Sequence, residues 1–114
     1  MTLNFFNRKY PKIQSSKQLE QYKNEFDQIY NEYLEAHNYL ESVATLFQTH
    51  KKELDAINDK NSKEYEEKKN NVYKEYMQKL NDANYIKTKE KHDKLSNKLN
   101  FIQDLIKQYQ SFNS

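Results

Sequence analysis

The feature that most constrains this fold is a regular pattern of apolar residues between Ser16 and Asp59. Apolar side chains recur at alternating steps of three and four residues, with one polar exception at His50. The positions of this seam are Leu19, Tyr22, Phe26, Ile29, Tyr33, Ala36, Leu40, Val43, Phe47, His50, Leu54 and Ile57. Such spacing places them on one stripe of an α-helix, as in a coiled coil. It predicts a first helix over about residues 16–59, about 65 Å long because an α-helix rises about 1.5 Å per residue.

Two further helices are predicted in the second half of the chain. Asn, Asp and Ser residues at positions 58–62 favour a turn, because their side chains bond nearby backbone groups. A weaker apolar stripe, which includes Tyr65, Val72 and Tyr76, follows over about residues 62–80, with Lys69 and Lys79 at two of its expected positions. A new register begins in a third helix, over about residues 84–110. The seam of this helix comprises Tyr85, Thr88, His92, Leu95, Leu99, Ile102, Ile106 and Tyr109.

Polar residues suggest where the first two helices begin. Ser15 and Gln18 have the spacing of a capping box, in which a hydroxyl and a side-chain amide bond backbone N–H groups of the first turn. Ser16 is an alternative cap for the same helix. Asn61 and Glu64 repeat the spacing ahead of the second helix. We therefore expect each helix to begin directly after its capping residue, near Ser16 for the first helix and near Ser62 for the second.

The chain begins with an aromatic segment that has no helical period, over residues 1–15. Its large apolar residues are Phe5, Phe6, Tyr10 and Ile13. Pro11 drives the residue before it toward an extended conformation. We expect an extended strap that packs on a helical domain covering residues 16–114, with a frayed terminus as the alternative.

The distribution of charge predicts how the helices pair. Residues 16–48 carry two lysines against six acids, a net charge of −4, whereas residues 85–110 carry six lysines against three acids, a net charge of +3. Opposite charges on flanking positions favour pairing of two helices. The three predicted helices make the fold class all-α, and the turn after the first helix lets the chain fold back so that the oppositely charged segments meet. We expect an elongated antiparallel helical hairpin, or coiled coil, of three helices with the strap at its N-terminus.

Composition argues against several chemical classes of function. The chain has no Gly and no Cys, which removes glycine-dependent phosphate loops, thiolate metal sites and cysteine nucleophiles. His37, His50 and His92 have no zinc-motif spacing, and core or flanking histidines are the simpler interpretation. We therefore expect no enzymatic activity, no catalytic residues, no cofactor and no metal.

The charge balance and hydropathy bear on the partners of the chain. Its net charge is +2, with a single arginine and with lysines interleaved among 17 acids. That pattern is typical of solvated helix surfaces, so we expect no direct contact with nucleic acid. No apolar run approaches the length of a membrane span, and we expect no membrane contact by this domain.

A helical hairpin leaves one side of each seam partly open, and exposed apolar surface often marks a partner site. The candidate partner-binding residues flank the seams and are Tyr30, Leu34, His37, Tyr39, Leu46, Tyr73, Met77 and Tyr85. We expect an amphipathic helix or an extended segment of a partner to lie there. In isolation the domain is expected to be a monomer; a self-associating structural coiled coil is the alternative.

Short segments between residues 10 and 110 match the pattern of a known family. They are Tyr10-Pro11-Lys12-Ile13, the run from Gln21 to Phe26 with Tyr30, Tyr33 and His37, the pairs Glu64-Tyr65, Glu75-Tyr76 and Asn84-Tyr85, then Lys89, and the run from Leu95 to Leu99 with Ile102, Leu105, Ile106 and Tyr109. In these segments the chain resembles the occludin homology domain of the ELL family of RNA polymerase II elongation factors. The same domain ends the cytoplasmic tail of occludin, but Tyr30, Tyr33 and His37 favour ELL.

The resemblance implies a nuclear interaction domain that docks a scaffold protein of the super elongation complex, or of the related complex that serves small nuclear RNA genes. It also implies that the segment of ELL that stimulates polymerase lies outside this domain. An occludin-type junction or trafficking adaptor at the cytoplasmic face of the plasma membrane is the alternative. Lys69 and Lys79 depart from the family pattern and bear on which partner residues the domain accommodates.

Overall fold

A computed structural model describes residues 9–113 of the protein. This range forms three α-helices and contains no strand: α1 (Ser16–Asp55), α2 (Lys63–Leu80) and α3 (Ala83–Phe112). The predicted all-α class with three helices is confirmed. Phe5 and Phe6, which were assigned to the strap, lie outside the described residues.

The first helix ends at Asp55, earlier than its apolar pattern indicates. The predicted continuation through Ile57 to Asp59 was therefore wrong, and Ile57 lies in the connection to α2. Lys60 supplies the reason, because its Nζ donates hydrogen bonds to the backbone oxygens of Leu54 at 3.3 Å and Asp55 at 2.7 Å. The ammonium thereby gives the Asp55 carbonyl a partner at the helix end. It adds a second bond to the Leu54 carbonyl, which also accepts from the backbone N–H of Ile57 at 3.2 Å.

The capping pair ahead of α1 forms in a modified way. The backbone N–H of Gln18 donates to Ser15 Oγ at 3.1 Å, as the capping box predicts. The Gln18 side-chain oxygen accepts from the backbone N–H of Gln14 at 2.8 Å, one residue before the cap. The two bonds satisfy one donor inside the helix and one in the strap, which fixes how the strap enters α1.

The cap of α2 is one residue later than predicted. Ser62 Oγ accepts from the backbone N–H of Tyr65 at 3.1 Å, so the assignment of Asn61 as the cap was wrong. The backbone N–H of Asn61 donates instead to Asp59 Oδ1 at 2.9 Å, in the local turn that Asp side chains favour. The Ser62 hydroxyl also donates to the Asp59 backbone oxygen at 2.7 Å, which links that turn to the helix start.

The chain divides into two compact units. Unit 1 contains the described residues up to Glu35 together with those from Lys91 onward, and unit 2 contains Ala36–Glu90. Helices α1 and α3 each contribute one segment to each unit, whereas α2 lies wholly in unit 2. The described strap residues belong to unit 1, so this unit combines two stretches of sequence: the strap with the first part of α1, and the second part of α3.

Unit 1 contains the principal buried core. Its buried members are Tyr10, Ile13, Tyr22, Ile29, Leu99 and Ile102. Half-buried side chains that pack against them are Leu19, Phe26, Tyr33, Leu95, Phe101, Leu105, Ile106 and Tyr109. The rings of Tyr33 and His92 stack with centroids 4.8 Å apart, which places the end of one helical segment beside the start of the other. The two helices of this unit therefore run antiparallel, with the strap completing their core.

Unit 2 has a much thinner core. Within residues 36–90 Ala36 alone is buried, and α2 has no buried residue. The seam residues of this unit that are half-buried include Leu40, Val43, Phe47, Leu54 and Tyr85. Lys68 and Lys79 are half-buried on α2, whereas Lys69 is exposed. The inner face of α2 therefore includes Lys68, and its packing uses lysine side chains along with apolar ones.

Three contacts join α1 and α2 in antiparallel order. They are Phe47 with Tyr76, edge to face with ring centroids 5.3 Å apart, His50 Nε2 with Glu75 Oε2 at 3.1 Å, and Glu53 Oε2 with Lys68 Nζ at 2.7 Å. Residue numbers rise along α1 as they fall along α2, which confirms the predicted hairpin within this unit. Glu53 and Lys68 are near the surface, where solvent screening keeps such an ion pair weak.

Candidate functional site

The predicted partner-binding residues differ in exposure and in the unit that holds them. The exposed ones are Tyr30, Leu34, Leu46, Tyr73 and Met77, and the half-buried ones are His37, Tyr39 and Tyr85. Tyr30 and Leu34 belong to unit 1, whereas the others belong to unit 2. These residues therefore form two separate candidate surfaces, one in each unit.

The larger candidate, which we call the unit 2 apolar surface, consists of exposed side chains on α2 and at the start of α3. Its members are Tyr73, Tyr76, Met77, Leu80 and Ile86. Steps of three and four residues place the α2 members on one side of that helix. Sequence reasoning had proposed Tyr73 and Met77 but missed Tyr76, Leu80 and Ile86. Tyr76 follows Tyr73 by three residues, which could have placed both on one surface, but the sequence pattern put Tyr76 on the inner stripe.

A cavity of about 190 Å³ adjoins this surface within unit 2. Its lining residues are Leu40, Val43, Ala44, Phe47, Tyr76, Lys79, Leu80 and Tyr85. Lys79 Nζ lies 3.5 Å from Asp82 Oδ2, so the charge of the one ionic lining residue is partly neutralised and its stem faces the cavity wall. An opening of this size with apolar walls can hold one large apolar side chain of a partner.

In unit 1 the strap is held by two tyrosine hydroxyls. The Tyr10 hydroxyl donates to Glu25 Oε1, and the Tyr22 hydroxyl donates to the backbone oxygen of Pro11 at 2.7 Å. The two tyrosine rings meet edge to face with centroids 5.9 Å apart. Lys98 Nζ lies over the Tyr10 ring, 5.6 Å from its centroid. Strap, α1 and α3 therefore converge on one buried aromatic ring.

The environment of the Tyr10 ring shifts the pKa values of three side chains. Burial raises the pKa of the Tyr10 hydroxyl, and both the hydrogen bond to Glu25 and the charge of Glu25 raise it further. Burial also raises the pKa of Tyr22, with a smaller contribution from the Glu25 charge. Loss of hydration lowers the pKa of Lys98, and the neighbouring Lys9 ammonium lowers it further against the attraction of Glu25 and Glu32.

We expect the protein to lose stability as the pH rises above about 10, the ordinary pKa of tyrosine. The folded-state pKa of Tyr10 lies above the unfolded value, so its stabilising contribution is complete below that pH. The contribution is lost as the pH rises toward the folded pKa, because the unfolded chain releases the proton first. Urea unfolding between pH 8 and about 11.5 measures the decline. The Tyr10→Phe variant should decline less steeply, and an unchanged slope would contradict the assignment.

The histidines and the acids near them do not converge on a metal site. His37 Nε2 lies 4.0 Å from Glu41 Oε2, and His92 Nδ1 lies 3.2 Å from Asp93 Oδ1. Within residues 9–113 no three His, Cys, Asp or Glu side chains are placed to hold a metal ion. Over the same described range, no helix combines the length and the apolar character needed to cross a membrane.

Known proteins share sequence similarity with this chain over most of its length. Human MARVEL domain-containing protein 2 is 32% identical over 106 residues, and the protein of that name from Xenopus tropicalis is 34% identical over 107 residues. Mouse RNA polymerase II elongation factor ELL is 34% identical over 102 residues. Each similarity covers 89% of this chain, but 18% of the two MARVEL proteins and 17% of ELL.

The chain thus spans less than a fifth of the length of these relatives. The family described as the occludin homology domain matches residues 10–111, from the first buried strap residue almost to the end of α3. This match covers the strap from Tyr10 onward and nearly all of the three helices, and it confirms the resemblance inferred from the sequence. The chain belongs to the occludin homology domain family.

Proposed function

We propose that this chain is a protein-interaction domain of an ELL-type transcription elongation factor, and that it docks a scaffold protein of the super elongation complex in the nucleus. The proposed activity is binding, without catalysis or a cofactor. Support comes from the mouse elongation factor ELL, which is 34% identical over 89% of this chain. The observation that carries the proposal is the unit 2 apolar surface beside its cavity.

Tyrosine and methionine are enriched at the centres of protein interfaces, where charged residues are depleted. Tyr73, Tyr76 and Met77 give α2 this composition, and Tyr73 is 64% exposed. The thin core of unit 2 leaves this side of α2 short of apolar neighbours. An amphipathic helix or an extended segment laid along α2 would supply them, with one large side chain filling the cavity.

A second candidate function is supported by the other relatives. Human MARVEL domain-containing protein 2 is 32% identical over the same share of the chain. Its similarity favours an occludin-type adaptor that acts at the cytoplasmic face of a membrane. Such an adaptor would use the same kind of surface, so the source of the bound partner distinguishes the two functions.

Affinity capture from separate nuclear and membrane extracts tests the proposal. The tagged domain should retain elongation-complex scaffold proteins from the nuclear fraction. A Tyr73→Ala/Met77→Ala variant should retain them about tenfold less well, since it removes two side chains from the centre of the surface. Phe112→Ala is the matched control, because Phe112 is exposed in unit 1 and its loss should leave binding unchanged.

Thermal unfolding followed by circular dichroism verifies that both variants remain folded. Capture of junction or vesicle proteins from the membrane fraction alone would favour the occludin-type function over the nuclear one. Equal retention by the wild type and the double variant would show that the unit 2 apolar surface is not the docking site.

A further inference from the structure

A second solvent-facing surface lies on the α1 segment of unit 1, around Tyr30 and Leu34. We propose that this α1 surface binds a basic amphipathic segment of a partner protein, through an apolar anchor flanked by lysine or arginine. The inference goes beyond the proposed function, because it concerns a different unit and assigns the charge of the ligand. It rests on an aromatic base, an exposed aliphatic neighbour and two exposed acids that form no ion pair within residues 9–113.

The aromatic base is a short stack of rings along α1. The Tyr30 ring lies 6.3 Å from the Phe26 ring and 6.1 Å from the Tyr33 ring, at interplanar angles of 10° and 29°. Phe26 and Tyr33 pack against the buried core of unit 1. Tyr30 is therefore supported on both sides although it is 44% exposed. Because the Tyr30 ring is already held in place, covering it with a ligand costs little additional side-chain entropy of the protein.

Acidic residues lie along the same side of the helix. Asp27 precedes Tyr30 by three residues and Leu34 by seven, and Glu20 precedes Asp27 by seven, so helical periodicity aligns them. Both carboxylates are exposed, and neither forms an ion pair with any residue in the described range. Lys23 is the one cation between Glu20 and Leu34, so Glu20 and Asp27 leave this part of the stripe with net negative charge.

Two other acids of α1, Glu25 and Glu32, interact with residues inside unit 1, unlike Glu20 and Asp27. Glu25 accepts the hydrogen bond of the Tyr10 hydroxyl, and both Glu25 and Glu32 attract the Lys98 ammonium. Their charges thus contribute to the contact of α1 with the strap and α3. Glu20 and Asp27 contribute to no such contact in the described residues, and their charges are available to a ligand.

These features define the chemistry of the ligand. An apolar side chain would rest on Tyr30 and Leu34, while lysine or arginine residues one turn away would reach Asp27 and Glu20. A guanidinium or ammonium group can also stack on the exposed Tyr30 ring. Complementary charge steers association and fixes the orientation of the bound segment. A basic amphipathic helix satisfies all three requirements at once.

A pair of synthetic peptides tests this inference on the full chain. One is a sixteen-residue helical peptide with a leucine stripe and lysines on its flanks, and the other carries glutamates in place of the lysines. Calorimetric titration should show saturable binding of the lysine peptide. The dissociation constant should rise about tenfold for Glu20→Lys/Asp27→Lys, and again between about 50 and 500 mM salt because screening weakens exposed charge pairs. Leu34→Ala should also weaken binding.

The matched control reverses two exposed acids elsewhere, in Glu66→Lys/Glu90→Lys of unit 2. The inference is overturned if this control weakens binding as much as Glu20→Lys/Asp27→Lys does, or if the glutamate peptide binds equally well. Sedimentation without peptide adds a further test. A concentration-dependent dimer that Glu20→Lys/Asp27→Lys abolishes would assign the α1 surface to a second copy of this chain, which also overturns it.

This outcome is separable from that of the proposed function. Glu20→Lys/Asp27→Lys leaves the unit 2 apolar surface intact, so capture of a scaffold through Tyr73 and Met77 should be unchanged. Failure of the lysine peptide to bind would reject the α1 surface alone. Failure of scaffold capture, with the lysine peptide still binding, would reject the proposed function alone.

Discussion

Replacing Ile102 with alanine should lower the free energy of unfolding by about 2–5 kcal/mol. Ile102 is 0% exposed and lies in the buried core of unit 1. The substitution removes buried methyl and methylene groups, and it leaves a cavity that neighbours held on two helices and the strap cannot readily fill. Urea unfolding followed by circular dichroism measures the change through the shift of the transition midpoint.

Ile86→Ala is the matched control for this prediction, because it makes the same chemical change on the same helix. Ile86 is 41% exposed, so its replacement should cost less than about 1 kcal/mol. Equal losses for the two variants would show that Ile102 does not lie in a closely packed core.

The second large effect is expected at the strap. Tyr10→Ala should lower the free energy of unfolding by about 3–5 kcal/mol, the range for large aromatic side chains in protein cores. The Tyr10 ring is buried, meets the Tyr22 ring edge to face, and carries the hydroxyl that donates to Glu25. Its removal opens the core of unit 1 and leaves the half-buried Glu25 carboxylate without that donor.

Two further variants separate the contributions to this loss. Tyr10→Phe keeps the ring but removes the hydroxyl, and should cost about 1–3 kcal/mol because Glu25 loses a hydrogen-bond donor. Tyr73→Ala deletes an exposed tyrosine of unit 2 and should have little effect on stability. If Tyr10→Ala were as mild as Tyr73→Ala, the strap would contribute little to the folded state.

Helix type and the inner face of α1 follow largely from local sequence. The seam positions Tyr22 and Ile29 are buried, as are Leu99 and Ile102 in the separate register of α3. Periodicity succeeds here because a stripe of apolar residues can be removed from water only by turning it toward another element. The end of α1 did not follow from the pattern. The apolar spacing continues to Ile57, whereas the helix ends at Asp55, where Lys60 donates hydrogen bonds to the last backbone carbonyl groups.

The candidate surfaces were less predictable than the helices. Tyr73 and Met77 could be proposed from their positions beside the stripe, whereas Tyr76 sits on the stripe and is nevertheless exposed. An apolar residue on an inner stripe becomes exposed when the facing helix covers only part of it. How much is covered depends on how α2 and α1 approach each other, which a linear sequence does not contain.

The sequence by itself determined the helical class, the three helices and the seam of α1, because each depends on residues three or four positions apart. Only the tertiary structure decided what the strap and the acids of α1 do. Tyr10 bonds Glu25 across fifteen residues and meets Lys98 from the far end of the chain. Glu25 and Glu32 contribute to contacts within unit 1, while Glu20 and Asp27 remain free of ionic partners in the described residues. Such distinctions arise when distant segments meet, since burial and charge pairing are properties of the packed chain.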